Sequence, residues 1–264
     1  PSFDMGSRDT KFINIVKEIR ENVLIHAGVS QSQGFECVIM QGSGTFGVES
    51  VFSSILPSDQ KVMIISNGAY GRRMVQICEA FDIPYHHIAL EEDEVPTANL
   101  VKEALVKHTD IKYIALVHHE TTTGSVSPVK SIGETVKRVR DDAVYIVDSM
   151  SGFGALPIDM KSANIDFLIS SPNKCFESVP GFSFVLANRE KLEMSANIKR
   201  TLSLNLYSQW QGLETNGQFR FTPPTHSILA FSQAMKELEA EGGPTKRLLR
   251  YQNNHAVLKA NMLD

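Results

Sequence analysis

The chain has 264 residues, 42% hydrophobic and 21% charged, with a formal net charge of −4. That composition is enough for a sizeable core and carries no basic field to draw nucleic acid; no apolar run approaches the ~20 residues that cross a bilayer, and no signal-peptide core stands at the start. Cys37, Cys78 and Cys175 are odd in number and far apart, which points to reduced thiols in a cytoplasmic compartment and a small-molecule partner.

Residues 11–29 carry Phe12, Ile15, Val16, Ile19, Val23 and Leu24 at helical spacing, which predicts an amphipathic helix. Short apolar runs follow at 37–40, 62–65, 85–89, 113–117, 143–147, 167–169 and 182–186, giving seven predicted strands. Helical patterns at 71–81, 97–107 and 131–140 separate most of them, so the strands are expected to be mainly parallel and buried on both faces. Only the crossing from 167 to 186 lacks room for a helix; its Pro172, Pro180 and Gly181 predict a loop and a locally antiparallel strand.

Beyond 221 the pattern turns helical, with Ile228, Leu229, Phe231, Ala234, Met235 and Leu238 on one face, until Gly242-Gly243-Pro244 breaks it. The expected fold class is α/β, a mostly parallel seven-stranded sheet with helices on both faces over residues 1–243. Residues 244–264 are expected to begin a smaller C-terminal domain. The sequence starts at Pro1 and stops at Asp264 inside a predicted helix, so truncation at both ends is expected.

Three features carry candidate chemistry. Gly42-Ser43-Gly44-Thr45-Phe46-Gly47 has the G-x-G-x-x-G spacing between a strand and a helix. A dinucleotide site would want an acid at the end of the next strand, and that strand ends in Ser66-Asn67-Gly68. What survives is a glycine-rich turn at a helix N-terminus, suited to one phosphate, or a plain strand-to-helix turn. Asp148 closes the run Val144-Tyr145-Ile146-Val147 and is either a helix cap or a carboxylate at the sheet edge. Lys174 follows the next run in Ser170-Ser171-Pro172-Asn173-Lys174; it is either a solvated loop lysine or a partly desolvated amine able to form a Schiff base.

Phosphate turn, strand-end aspartate and strand-end lysine are the parts of a pyridoxal phosphate site. The chain resembles the fold-type I pyridoxal phosphate enzymes of the class V aminotransferase group. Within that group, Met40-Gln41-Gly42-Ser43-Gly44-Thr45-Phe46, Asn67-Gly68-Ala69-Tyr70-Gly71, His119-Glu120-Thr121-Thr122-Thr123-Gly124 and Arg220-Phe221-Thr222-Pro223-Pro224-Thr225-His226 resemble the branch that transfers the amino group of 2-aminoethylphosphonate to pyruvate in phosphonate degradation. The resemblance implies that Lys174 bonds pyridoxal 5'-phosphate and shuttles the proton, and that Asp148 keeps the ring nitrogen protonated. It implies that Gly44 and Thr45 hold the phosphate with Asn173 nearby, that Tyr70 lies on the ring and Thr121 beside it, and that Thr225 reaches the phosphate of a second subunit in a homodimer. Alanine:glyoxylate or serine:pyruvate aminotransferases, or a non-catalytic module that binds the cofactor, are the alternatives.

Other features are expected to mean less. His118-His119-Glu120 lacks a metal-ligand spacing, Cys175 reads as a packed small residue, 91–94 as a solvated acidic loop, and Trp210 as a core or interface anchor. The resembling enzymes carry an N-terminal Thr-Pro-Gly-Pro turn and a C-terminal arginine for the substrate anion, and this sequence holds neither. A chain ending at Asp264 is therefore expected to bind cofactor with little turnover.

Overall fold

The computed structural model describes residues 5–262. In chain order its strands are β1 (Phe35–Gln41), β2 (Val62–Ser66), β3 (Tyr85–Ala89), β4 (Tyr113–Val117), the two-residue β5 (His119–Glu120) and β6 (Ser125–Val126), β7 (Val144–Asp148), β8 (Phe167–Ser170) and β9 (Phe182–Asn188). The helices are α1 (Thr10–His26), α2 (Gly44–Ile55), α3 (Ala69–Ala80), α4 (Ala98–Lys107), α5 (Val129–Val139), α6 (Arg189–Glu193), α7 (Leu206–Asn216), α8 (Thr225–Glu241) and α9 (Gly243–Met262).

Seven strands form one sheet in the order β1-β9-β8-β7-β4-β2-β3. The neighbours from β8 to β3 pair in parallel, and β9 runs antiparallel to both β8 and β1. The expected seven runs are the seven strands, and the loop before β9 reverses the chain as its prolines and glycine predict. β2, β7 and β8 are buried along their whole length, as strands must be when helices cover both faces. α1 buries Phe12, Val16, Ile19, Val23 and Leu24 and stops three residues earlier than its period suggests, because the amides of Ala27 and Gly28 turn back to the Leu24 and Ile25 carbonyls.

The crossing between β7 and β8, long enough for a helix, holds none. Residues 149–166 form successive turns. Gly152, Gly154 and Pro157 interrupt any helical period, and the segment's backbone is tied to its surroundings instead: Ser149 N–H donates to the Ile169 carbonyl, Met160 N–H to Ala27, and Asp166 N–H to Tyr145. The β5–β6 hairpin and the short helices α6 and α7 were not anticipated. α7 nonetheless has a clear start, since the Asn205 side chain accepts the Ser208 N–H at 2.8 Å. Among the described residues no helix is long and apolar enough to cross a membrane.

The turns of 149–166 are pressed against α5 at Gly133, where an added Cβ would lie 1.8 Å from the Ala163 carbonyl oxygen. Helix propensity alone would make Gly133→Ala stabilising by about 1 kcal/mol. Backbone overlap reverses the sign, and the variant is expected to lose about 1–3 kcal/mol in thermal or urea unfolding; a raised Tm would contradict this packing.

Candidate active site

Asp148 ends β7 in register with Val117 of β4 and Ile169 of β8, and only 4% of it is exposed. Its carboxylate accepts the Met150 N–H at 2.9 Å. Burial pushes its pKa up to about 6; the Met150 amide opposes this, Glu120 adds to it, and Arg73 opposes it. One strand over, β8 runs out at Ser170, and the chain enters the loop 171–181. Ser171 is buried there, and its hydroxyl has no hydrogen-bond partner.

Lys174 stands exposed on that loop, and the backbone beneath it is fixed. Glu177 N–H donates to the Lys174 carbonyl at 2.8 Å and Ser178 N–H to Pro172 at 3.0 Å. The Cys175 thiol donates to the Ser151 carbonyl at 3.2 Å, and the Phe176 ring packs edge-on against Phe153, Phe184 and Phe231.

The opposite wall comes from β1 and α2. Gly42 N–H bonds to the Gly181 carbonyl at 3.1 Å, which brings the turn before α2 beside the lysine loop. The first turn of α2 has amides with no intrahelical partner, and the positive end of the helix dipole lies with them. A Cβ on Gly44 would sit 2.5 Å from the Met150 sulfur, so the Met150 side chain packs directly on the Gly44 backbone.

α3 closes the third side. Glu120 Oε2 accepts the Tyr70 and Gly71 amides at 3.1 and 3.2 Å, and its Oε1 accepts the Thr122 hydroxyl at 2.7 Å. This buried carboxylate thereby caps the N-terminus of α3 and sets where Tyr70 begins. One turn on, Arg73 Nη1 donates to Thr45 Oγ1 at 3.2 Å, and its guanidinium lies 4.8 Å from the centre of the Tyr70 ring.

Gly44, Thr45, Tyr70, Asp148, Asn173 and Lys174 all line one cavity of about 200 Å³. Arg73, Met74, Met150 and Ser171 line it too, and sequence reasoning missed them. The signal for Arg73 was its place three residues after Tyr70 on a helix; Glu120 gave none, because its role is to accept backbone amides from a distant element. Thr121 and Thr225 are not among the lining residues. Thr121 Oγ1 donates to Ser151 Oγ at 2.8 Å, and Thr225 is the first residue of α8.

The donor set fits pyridoxal phosphate. It offers amides and a hydroxyl for a phosphate at α2, a desolvated carboxylate short of partners, an orphaned buried hydroxyl at Ser171 and an amine at Lys174. The neighbouring histidines have other partners: His118 Nδ1 shares a hydrogen with Ser149 Oγ at 2.8 Å and His119 with Ser151. Burial, then His119, holds the His118 pKa down to about 4. Cys175 is a packed thiol, pushed up to about 11 chiefly by burial, and residues 91–94 are exposed. Trp210 is half-buried against the core beside Tyr207.

Residues 3–262 match the aminotransferase class-V family model. The chain belongs to the aminotransferase class-V family. It is 43% identical over 262 residues to a 2-aminoethylphosphonate–pyruvate transaminase of Klebsiella pneumoniae, covering 98% of this chain and 70% of that protein. It is 41% identical over 260 residues to a bifunctional phosphonoacetaldehyde hydrolase/aminoethylphosphonate transaminase of Clostridioides difficile, covering 98% of this chain and 40% of the relative. The fold is shared with ureidoglycine–glyoxylate aminotransferase of Bacillus subtilis (TM-score 0.86, 24% identity, 97% of this chain and 65% of that one). Alanine–glyoxylate aminotransferase of Nostoc has it as well (TM-score 0.86, 23% identity, 97% and 67%).

The burial of Asp148 has a measurable consequence in the cofactor-free protein. Its rise from 3.8 to about 6 corresponds to about 3 kcal/mol of native-state cost once the carboxyl is ionised. Below about pH 4 the carboxyl carries its proton in both native and unfolded chains, and Asp148→Asn matches the parent. As pH rises from about 4 to 6 the unfolded chain loses the proton first and the parent's stability falls. Above that window Asp148→Asn is expected to be more stable by about 3 kcal/mol in urea unfolding; equal stability at pH 7.5 would contradict the site.

Proposed function

We propose that this chain is the cofactor platform of a pyridoxal-phosphate-dependent aminotransferase that moves the amino group of 2-aminoethylphosphonate to pyruvate, giving phosphonoacetaldehyde and L-alanine. The observation that carries the reading is the convergence of Asp148, Lys174 and the α2 turn on one cavity. The choice of substrate is supported by 43–44% identity across 98% of the chain to proteins named for that reaction.

Pyridoxal phosphate, when bound, supplies a carbonyl that bonds amines and a ring that withdraws the electron pair left by a departing proton. In this reading the amides of Gly44 and Thr45 and the Thr45 hydroxyl bind the phosphate at the positive end of α2. Asn173 adds a polar side chain, and Arg73 a cation beside Thr45. Asp148 holds a proton on the ring nitrogen, and that cation relieves the cost of the carboxylate's burial. Tyr70 orients the ring by stacking on its face. Lys174 Nζ would hold the cofactor, and as a free amine would take and return the proton at the substrate carbon that bears the amine.

The reading extends to a cytoplasmic homodimer in phosphonate degradation. Thr225 lies outside its own chain's cavity lining, which is consistent with its serving the phosphate site of a second copy; Thr121, also outside the lining, bonds Ser151, the residue after Met150 of the cavity wall, and in this reading serves the edge of the ring. Residues 1–243 are then the cofactor domain and 244–264 the start of a second one.

The test is the absorbance of the full-length protein with pyridoxal phosphate. Addition of 2-aminoethylphosphonate without keto acid is expected to convert the band of the lysine-bound cofactor to that of the aminated cofactor, with pyruvate reversing it, and Lys174→Ala is expected to abolish the lysine-bound band. A band that ignores 2-aminoethylphosphonate but responds to alanine or serine would overturn the substrate; an unchanged band in Lys174→Ala would overturn the mechanism.

A further inference from the structure

α8 and α9 meet at Gly242 and Gly243, both at positive φ, +103° and +80°. Two successive glycines in the left-handed region leave the backbone free to set many angles between the helices. The direction of α9 must therefore be held by its side chains. Apolar packing contributes little: apart from Gly243, the only residue of α9 that is buried is Arg247, an arginine 3% exposed.

That arginine reaches the lysine loop. Its Nη1 donates to the carbonyl of Cys175, the residue after Lys174, at 2.8 Å. Its Nε and Nη2 grip Glu241 Oε2, at the end of α8, at 2.9 and 2.7 Å, and Nη2 lies 3.7 Å from Glu177. Arg250 bridges the same two acids, at 2.8 Å to Glu241 and 2.9 Å to Glu177, and the Tyr251 hydroxyl donates to Glu177 at 2.6 Å.

Glu177 is a non-glycine residue held at φ +55°, a conformation that costs about 1 kcal/mol or more and persists where surroundings enforce it. Its N–H closes the turn on the Lys174 carbonyl. The network thus grips the lysine's backbone at two points, one residue and three residues downstream, from an element otherwise hinged on glycine. Glu241 stays ionised, held down to about 2 by the hydrogen bond from Arg250 first and Arg247 next.

We propose that Arg247 is a positioning residue for Lys174, holding the lysine loop in place and tying it to α9 through Glu241 and Glu177. A displacement of α9 is then carried to the lysine. This rests on reading Lys174 as the cofactor lysine, but the mechanical part can be tested without cofactor.

The experiment is amide hydrogen exchange on the cofactor-free full chain and on the cofactor-loaded protein. In Arg247→Met, the amides of Glu177 and Ser178 are expected to exchange at least about tenfold faster, while those of β7 and α3 keep their parental rates. A factor of ten corresponds to about 1.4 kcal/mol of lost protection. Arg247→Lys, which keeps the charge but not the fork that reaches carbonyl and carboxylate together, is expected to fall between the two. In the loaded protein the pH midpoint of the lysine-bound absorbance band is expected to shift in Arg247→Met.

Unchanged exchange across 171–181 would overturn the proposal, as would a uniform rise throughout the fold, which marks a merely structural role. If Arg247→Met does not fold, Glu241→Gln, at a half-buried position on the same network, decides by the same criterion. The Lys174→Ala spectrum separates the two failures: loss of its band with unchanged exchange in the Arg247 variants overturns only the positioning role. Persistence of the band overturns the role of Lys174 itself.

Discussion

Asp148 emerges from the middle of the sheet with almost no access to water, and the cost of its negative charge there organises what surrounds it. One backbone amide, from Met150, answers the carboxylate directly. The second acid nearby, Glu120, is placed differently: it accepts two amides of α3 together with the amide and hydroxyl of Thr122, so its bonding capacity is used within the fold. Asp148 has capacity to spare, and it faces the cavity that Lys174 and the α2 turn also face. A cation bound there would be attracted by a carboxylate that water cannot screen.

The sheet fixes the relative placement of these groups. Register puts Asp148 opposite Ile169, one residue before β8 ends, so the loop bearing Lys174 begins beside the carboxylate. The antiparallel β9 brings Gly181 against Gly42, joining the far end of the lysine loop to the turn before α2. The amides at the start of α2, the lysine and the acid thus converge because the ends of β1, β8 and β7, with β9 between the first two, meet at one edge, the usual site location in open α/β folds. The second hold on the lysine loop comes from outside the sheet, through Phe231 and Ser227 of α8 and Arg247 of α9.

Much of this was legible in the sequence because its cause is local. Runs such as Val62-Met63-Ile64-Ile65 or Val144-Tyr145-Ile146-Val147 can only be buried strands of this length, and the acid or lysine just past such a run marks a strand end. Residues 149–166 were not legible, since their structure is dictated by amide bonds to β8, the end of α1 and β7, which no periodicity records. Glu120 and Arg247 were invisible for a related reason. Each acts on backbone groups of a segment far away in the chain, 49 residues for Glu120 to Gly71 and 72 for Arg247 to Cys175. Arg73 is the intermediate case: its spacing from Tyr70 places it on the same helix face, but its contact with Thr45 needs the sheet to bring α2 and α3 together.

The central claim is that the cavity is electrostatically prepared for a cationic ring nitrogen at Asp148. Its most direct test is titration of pyridoxal phosphate into the cofactor-free parent and the Asp148→Asn protein at pH 7.5. The account predicts at least about tenfold weaker binding by Asp148→Asn, about 1.4 kcal/mol, even though that variant is the more stable fold without cofactor. Equal or tighter binding by Asp148→Asn would contradict it.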